Sequence, residues 1–523
     1  MTFRLSRRKF LTTTATAGAA STMGGFFMPS ISRAADRPVI THGVQSGDVT
    51  ANTACIWGRA DRASKMVTEI ATTEGFKNSV RIPHMNVVPQ RDFAGKLTLQ
   101  DLPAGQDIFY KIHFENLDDG RASSEPLIGH FRTAPAAKRN IRFGWSGDTA
   151  GQGWGIDEDR GGMKTYATVT KHNPDFFIHS GDTIYADGPF EKQAKMPDGD
   201  VWKNITTEHT GKVAETIDEF RGNYKYNMLD KNVLEFNRMM PVYYQWDDHE
   251  VLNNWYPGEM LTGDDRYSEK SVSLLASRAN RAFREMLPIT EFDTEPGRVY
   301  RKVSYGPSLE IFFLDMRTYR GPNDANDSPV PTNDTDFLGR TQIEWLKRSL
   351  LNSKATWKVI AADMPIGMIV YDDWKSKSTF ENLANGDGAP KGRELEIVEL
   401  LRFIKSAKIN NTVWLTADVH YTAAHYYDPN KAQFQDFEPF WEFVSGPLHA
   451  GTFGPQDMDN TFGPQVKFTK HPSKEQGINL PPSFGMQFFG LVDIDADTEQ
   501  FRVSLRDVAD EELYTVTLDP VYS

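Results

Sequence analysis

The chain has 523 residues, 39% hydrophobic and 12% aromatic, a formal net charge of −13 and a single cysteine, Cys55. That length exceeds one core and the composition is globular, so two or three ordered domains are expected. The acidic balance excludes a phosphate-backbone binder, which needs clustered Lys and Arg, and one cysteine excludes an internal disulfide or a cysteine-based metal cluster.

Residues 1–35 carry Arg4, Arg7, Arg8, Lys9 and Arg33 and no acid, so removing five positive charges from −13 leaves −18 for the remainder. Ser6-Arg7-Arg8-Lys9-Phe10-Leu11 fits the twin-arginine pattern, and small residues offer cleavage at Ala34 or Ala35. The twin-arginine export machinery is therefore an expected partner, and a periplasmic or secreted location is expected. The plain alternative is a disordered basic N-terminus. No later apolar run reaches the ~20 residues of a membrane span.

Residues 36–135 read as a small all-β sandwich of the fibronectin or immunoglobulin kind. Short strands at 44–49, 53–59, 68–73, 94–99, 107–114 and 130–133 are separated by turn signals, and Trp57 and Tyr110 are candidate core residues. A polar linker, Ala134–Asn140, follows.

From residue 140 to 523 apolar strands alternate with helices at 341–352 and 392–407, the α/β pattern. Six strands end in an aspartate: 141–145 in Ser146-Gly147-Asp148, 176–179 in Gly181-Asp182, 242–245 in Asp247-Asp248-His249-Glu250, 309–314 in Asp315, 357–361 in Asp363, and 412–415 in Asp418-Val419-His420. Ligands bind at the carboxyl edge of such sheets. The loops after these ends, 149–162, 189–218 and 253–268, are long enough to act as lids.

A glycosidase needs two carboxylates. Six, with Tyr185 and His420, repel one another unless cations neutralise them, so metal is the better reading. Tyr185 as phenolate, with Asp148 and His420, suits a trivalent ion such as Fe(3+). Asp248, Asp418 and Asp363 offer oxygen alone, suiting Ca(2+) or magnesium, and Asp182 would bridge the two sites. Two such ions clamp an in-line displacement at phosphorus, with His249 meeting a phosphate oxygen or the leaving group. Arg317 is a candidate phosphate grip or a salt-bridge partner, and Asn253 and Asn254 are candidates for the calcium or the substrate, or for a turn or cap. His179 is read as a core histidine; His425 stands between a supporting and a surface role.

The order Gly-Asp, Gly-Asp-x-x-Tyr, Asp-His-Glu and x-Asp-x-His resembles the metallophosphoesterases, including the Gly-Asp-x-x-Tyr of purple acid phosphatases. Trp246–Trp255 (WDDHEVLNNW), residues 315–320 (DMRTYR) and residues 416–420 (TADVH) resemble the alkaline phosphatase D family. The resemblance implies an αββα metallophosphoesterase sandwich behind the β-domain, a phosphate-ester substrate, and iron and calcium as cofactors, with zinc or magnesium as weaker substitutes. It departs at Ser146-Gly147-Asp148, where the family places a cysteine ligand; Asp148 is assigned instead. Residues 145–156 and 246–259 are most similar to secreted phospholipase D members, which implies a diester substrate. The −18 balance and Trp154, Trp202, Trp255 and Tyr256 on the loops favour the same expectation. A surface-binding protein is the non-enzymatic alternative.

Overall fold

The computed structural model describes residues 2–5 and 37–522. The twin-arginine pattern and its expected cleavage point lie outside the described residues. Thr2–Arg4 form a short strand parallel to Thr98–Gln100. Among the described residues no helix is long and apolar enough to cross a membrane.

Two large sheets carry the fold. The central strands of the first, Ile141–Ser146, Phe176–Ser180 and Val242–Gln245, run parallel, so their carboxyl ends meet at one edge. The second aligns Leu309–Phe313, Trp357–Ala361, Thr412–Thr416 and Phe440–Val444, also in parallel. Such strands are buried on both faces, and Phe176–Ser180 and Leu309–Phe313 are buried at every position.

Phe143, Ile178, Ile311, Val359 and Leu415 share one core between the sheets. The outer face of the first sheet, with Phe177 and Tyr244, is covered by helices that include Val272–Met286. That helix buries Val272, Leu275, Ala279, Phe283 and Met286 at three- and four-residue spacing, and Ser271 caps it. Arg340–Asn352 and Glu394–Ser406 cover the second sheet through Ile343, Leu346, Ile397 and Leu401.

The N-terminal region is all-β. Val80–Val87, Ser64–Ala71, Asp107–Glu115 and Leu127–Arg132 form a four-stranded sheet. Its partner, Ala94–Gln100, Thr53–Ala60 and Ile40–Gly47, continues into the first large sheet through Gly47 beside Val242. Tyr110 lies in the core as expected. Trp57 is buried in a different core, facing the Val272–Met286 helix and donating its indole N–H to the Glu285 carbonyl at 2.9 Å. The strand Val80–Val87 escaped the sequence reading because it is a half-exposed edge carrying Pro83.

Candidate metal centre

The strand ends converge. Asp148 and Asp182 leave the first sheet side by side, tied by Asp148 N–H to the Gly181 carbonyl at 3.3 Å and Thr149 N–H to the Asp182 carbonyl at 2.8 Å. In the second sheet Ala417 N–H donates to the Asp363 carbonyl at 2.9 Å. Asp148, Asp182, Asp418 and His420 all have positive φ, between 49° and 65°. Non-glycine residues rarely hold that conformation, and it turns each side chain out of its strand end toward the shared edge. Gly181 is required where it stands: a Cβ there would lie 2.5 Å from that of Asp247.

Three groups of ligand-type side chains form, each with atoms within 4.8 Å of one another. Asp148, Asp182 and His420 are one; Asp182, Asp248 and His249 the second; Asp247, Asp248 and Asp418 the third. Asp182 belongs to two. Tyr185 joins the first group, its hydroxyl 2.8 Å from His420 Nε2. His420 Nδ1 faces the Gly451 carbonyl, which leaves Nε2 bare toward Tyr185 and Asp148. Burial lowers the His420 pKa to about 4, so the ring is neutral, as a ligand must be.

The donor set fits cations. Asp148 Oδ2, Asp247 Oδ2 and both oxygens of Asp363 are buried without a hydrogen-bond partner. Burial first, then the neighbouring Asp247, pushes Asp148, Asp363 and Asp418 far above the carboxylate range. For Asp182 the causes are burial and then Asp248. Carboxyls so placed stay ionised together when cations sit among them.

Arg317 lies enclosed among them at 0% exposure, 2.6 Å from Asp247 and from Glu381, and 3.5–3.8 Å from Asp363, Asp418 and Asp248. Its donors face carboxylates, the contacts expected of a salt-bridge partner. Asn253 is exposed, and it is its backbone N–H that is used, donating to Asp187 Oδ2 at 2.9 Å. Next along, Asn254 N–H donates to Asp248 Oδ2 at 2.6 Å.

His249 Nδ1 sits 2.6 Å from Asp187 Oδ1. Burial alone would lower its pKa, but Asp187 and Asp248 outweigh that and raise it to about 10. Glu250 accepts the N–H groups of Asp182, Thr183 and Asp247 at 2.7–3.1 Å, locking two strand ends together. His179 is the core histidine expected, bonded to Thr149 and Thr183. His425 is buried against Glu442 at 2.9 Å, whose other oxygen holds Ile366 N–H just past Asp363.

Asp247, Asp187, Glu250 and Glu381 were missed. Asp248 was read from its place in the Asp-His-Glu motif, which has no position for Asp247; in the turn after the strand both join the third group. The loop aromatics also differ from expectation. Trp154 and Trp202 pack edge-on at 5.9 Å over Met196, buried, and Trp255 is buried against Trp246; Tyr256 alone is partly exposed. Ser146 turns its hydroxyl to the Phe488 carbonyl at 2.8 Å, away from the ligand groups that Asp148 joins.

The model of the family described as PhoD-like phosphatase matches residues 143–505, and that of the PhoD-like phosphatase N-terminal domain matches residues 27–135. Alkaline phosphatase D of Bacillus subtilis (strain 168) is 26% identical over 424 residues, spanning 77% of this chain and 67% of that protein. A solved structure of PhoD shares the fold with TM-score 0.68 at 21% identity, covering 94% of this chain and 90% of the other. The purple acid phosphatase PPD1 from yellow lupin (Lupinus luteus) seeds follows with TM-score 0.56 at 12% identity, covering 92% and 74%.

Proposed function

The chain belongs to the PhoD-like phosphatase family and is a hydrolase of phosphoric ester bonds, and we propose that it works outside the cytoplasm at an iron–calcium centre. Asp148, Asp182, Tyr185 and His420 would hold Fe(3+); Asp182, Asp247, Asp248 and Asp418, with Asp363 beside them, would hold Ca(2+). When bound, these ions polarise the phosphoryl oxygens and supply a nucleophilic water. The observation that carries the reading is Asp182, buried and shared between two ligand groups, the second of which meets the all-oxygen third at Asp248. Tyr185 beside the first group and the all-oxygen third group divide the donors between a hard trivalent ion and calcium.

The remaining residues have work the chain itself defines. His249 has Nδ1 committed to Asp187, so Nε2 is left to meet a phosphate oxygen or hand a proton to the leaving group. Arg317 holds the Asp247 and Glu381 carboxylates in place. We read residues 1–35 as the export signal, residues 36–135 as a fibronectin- or immunoglobulin-like sandwich, and residues 140–523 as the αββα catalytic unit.

A diester, including a phospholipid headgroup as in phospholipase D, is the second reading. The −18 balance of the chain after residue 35 favours it, since a monoester dianion meets more repulsion than a diester monoanion. Metal analysis of purified protein, chelation with calcium added back, and kcat/KM for p-nitrophenyl phosphate against bis(p-nitrophenyl) phosphate test both readings. Activity lost on chelation and restored by calcium is expected. A zinc-only, fully active protein would overturn the iron–calcium assignment. A tenfold win for the monoester, about 1.4 kcal/mol, would dismiss the diester.

A further inference from the structure

The first residues of the chain alternate as an edge strand does. Thr2 and Arg4 are exposed, Phe3 is half-buried, and Leu5 is 5% exposed. Leu5 shares the core that holds Leu97 and Leu99, and Phe3 packs against that core. The pairing has a defined register, Thr2 with Thr98, Phe3 with Leu99 and Arg4 with Gln100. Leu5 N–H donates to the Gln100 carbonyl at 3.0 Å, and Arg4 Nε donates to Gln100 Oε1 at 2.9 Å.

Thr2–Arg4 is the end strand of a ten-stranded sheet, followed inward by Ala94–Gln100 and then Thr53–Ala60. Without residues 2–5, Ala94–Gln100 becomes the edge, and the place of Leu5 in the core is left open. An edge presents unpaired N–H and C=O groups that recruit another extended segment. A residue's N–H and C=O point to the same side of a strand, so the Gln100 N–H, and by alternation that of Thr98, face the added strand.

Resting on the export reading of residues 1–35, we propose that Ala94–Gln100 is a docking edge for the chain's own leader. Residues 2–5 add a strand there before cleavage at Ala34 or Ala35, and the cleaved chain carries the edge open. The seat exists only where Ala94–Gln100 has paired with Thr53–Ala60 and the core beneath has closed, so the leader docks on a folded β-region. Arg7 and Arg8 follow Leu5 by two and three residues, within about 7 and 11 Å of it by chain length. The docked strand therefore keeps the arginine pair close to the folded surface.

The test is amide hydrogen exchange in Ala94–Gln100, read by mass spectrometry on the full-length chain from cell-free synthesis and on the exported, cleaved chain. The Thr98 and Gln100 amides should exchange at least about tenfold faster after cleavage, while the amides facing Thr53–Ala60 stay slow. In the full-length chain Leu5→Asp should give the fast exchange of the cleaved form, and Leu5→Met should keep the slow one. Equal exchange in the full-length and cleaved chains, or slow exchange in Leu5→Asp, would overturn the proposal. If export never removes the leader, the export reading fails and the open edge with it, whereas fast exchange in Leu5→Asp still supports the docked strand.

Discussion

Asp187 Oδ1 lies 2.6 Å from His249 Nδ1, while its other oxygen holds the Asn253 N–H at 2.9 Å. One carboxylate thus fixes both the ring and the loop behind it. His249→Ala should keep the metals and lose about 10²–10⁴-fold in kcat, the range for removing an acid–base group. Asp187→Asn should lose activity in the same direction and by less, because the ring stays but its orientation and charge are no longer held. Steady-state kinetics with metal content measured on each variant checks this; equal activity in Asp187→Asn would dismiss the pairing as incidental.

Tyr185 is buried and shares the edge with Asp148, Asp182 and His420. If it binds ferric iron as phenolate, the protein should absorb in the visible, and Tyr185→Phe should bleach that band. Absorbance of the two proteins at matched iron content is the measurement. A band unchanged in Tyr185→Phe would remove tyrosine from the iron site.

The alternation of strands and helices was legible because parallel strands buried on both faces read as continuous apolar runs, as in Phe176–His179. The convergent strand-end aspartates were legible for the same reason, since each run stops abruptly at one. What sequence spacing hid was direction. Asp247 and Asp248 both turn inward because the strand has ended, and Glu381 reaches Arg317 from 64 residues away, where no periodicity points to it. Trp57 is the same lesson in the β-region: a buried tryptophan on a strand has two faces to choose from, and it chose the neighbouring helix.

Asp48 and Arg301 join the N-terminal β-region to the catalytic unit through a pair 3–4% exposed, with Arg301 Nη2 2.7 Å from Asp48 Oδ1. Asp48 also accepts Thr290 N–H at 2.7 Å. Asp48→Ala leaves a buried guanidinium uncompensated and should cost about 3–5 kcal/mol in denaturant unfolding. Replacing both partners with apolar residues of similar volume should cost less than that single change. If the double variant is the less stable, the pair contributes more than its desolvation takes away.

His42 offers a pH test away from the metal groups. Burial first, then the charges of Arg59 and Lys225, lower its pKa from 6.5 to about 4. Between those values the unfolded chain holds a proton that the folded chain does not, so folding is penalised progressively as pH falls from 6.5 to about 4. His42 sits at φ 65°, a conformation asparagine tolerates better than most residues, so His42→Asn removes the titration with little backbone strain. Protonation of the buried carboxylates acts on both proteins alike and cancels in the comparison. The melting temperature of His42→Asn relative to the native chain should therefore rise steadily as pH is lowered through that window and level off below it. A difference independent of pH would show that His42 carries no burden of desolvation in the fold.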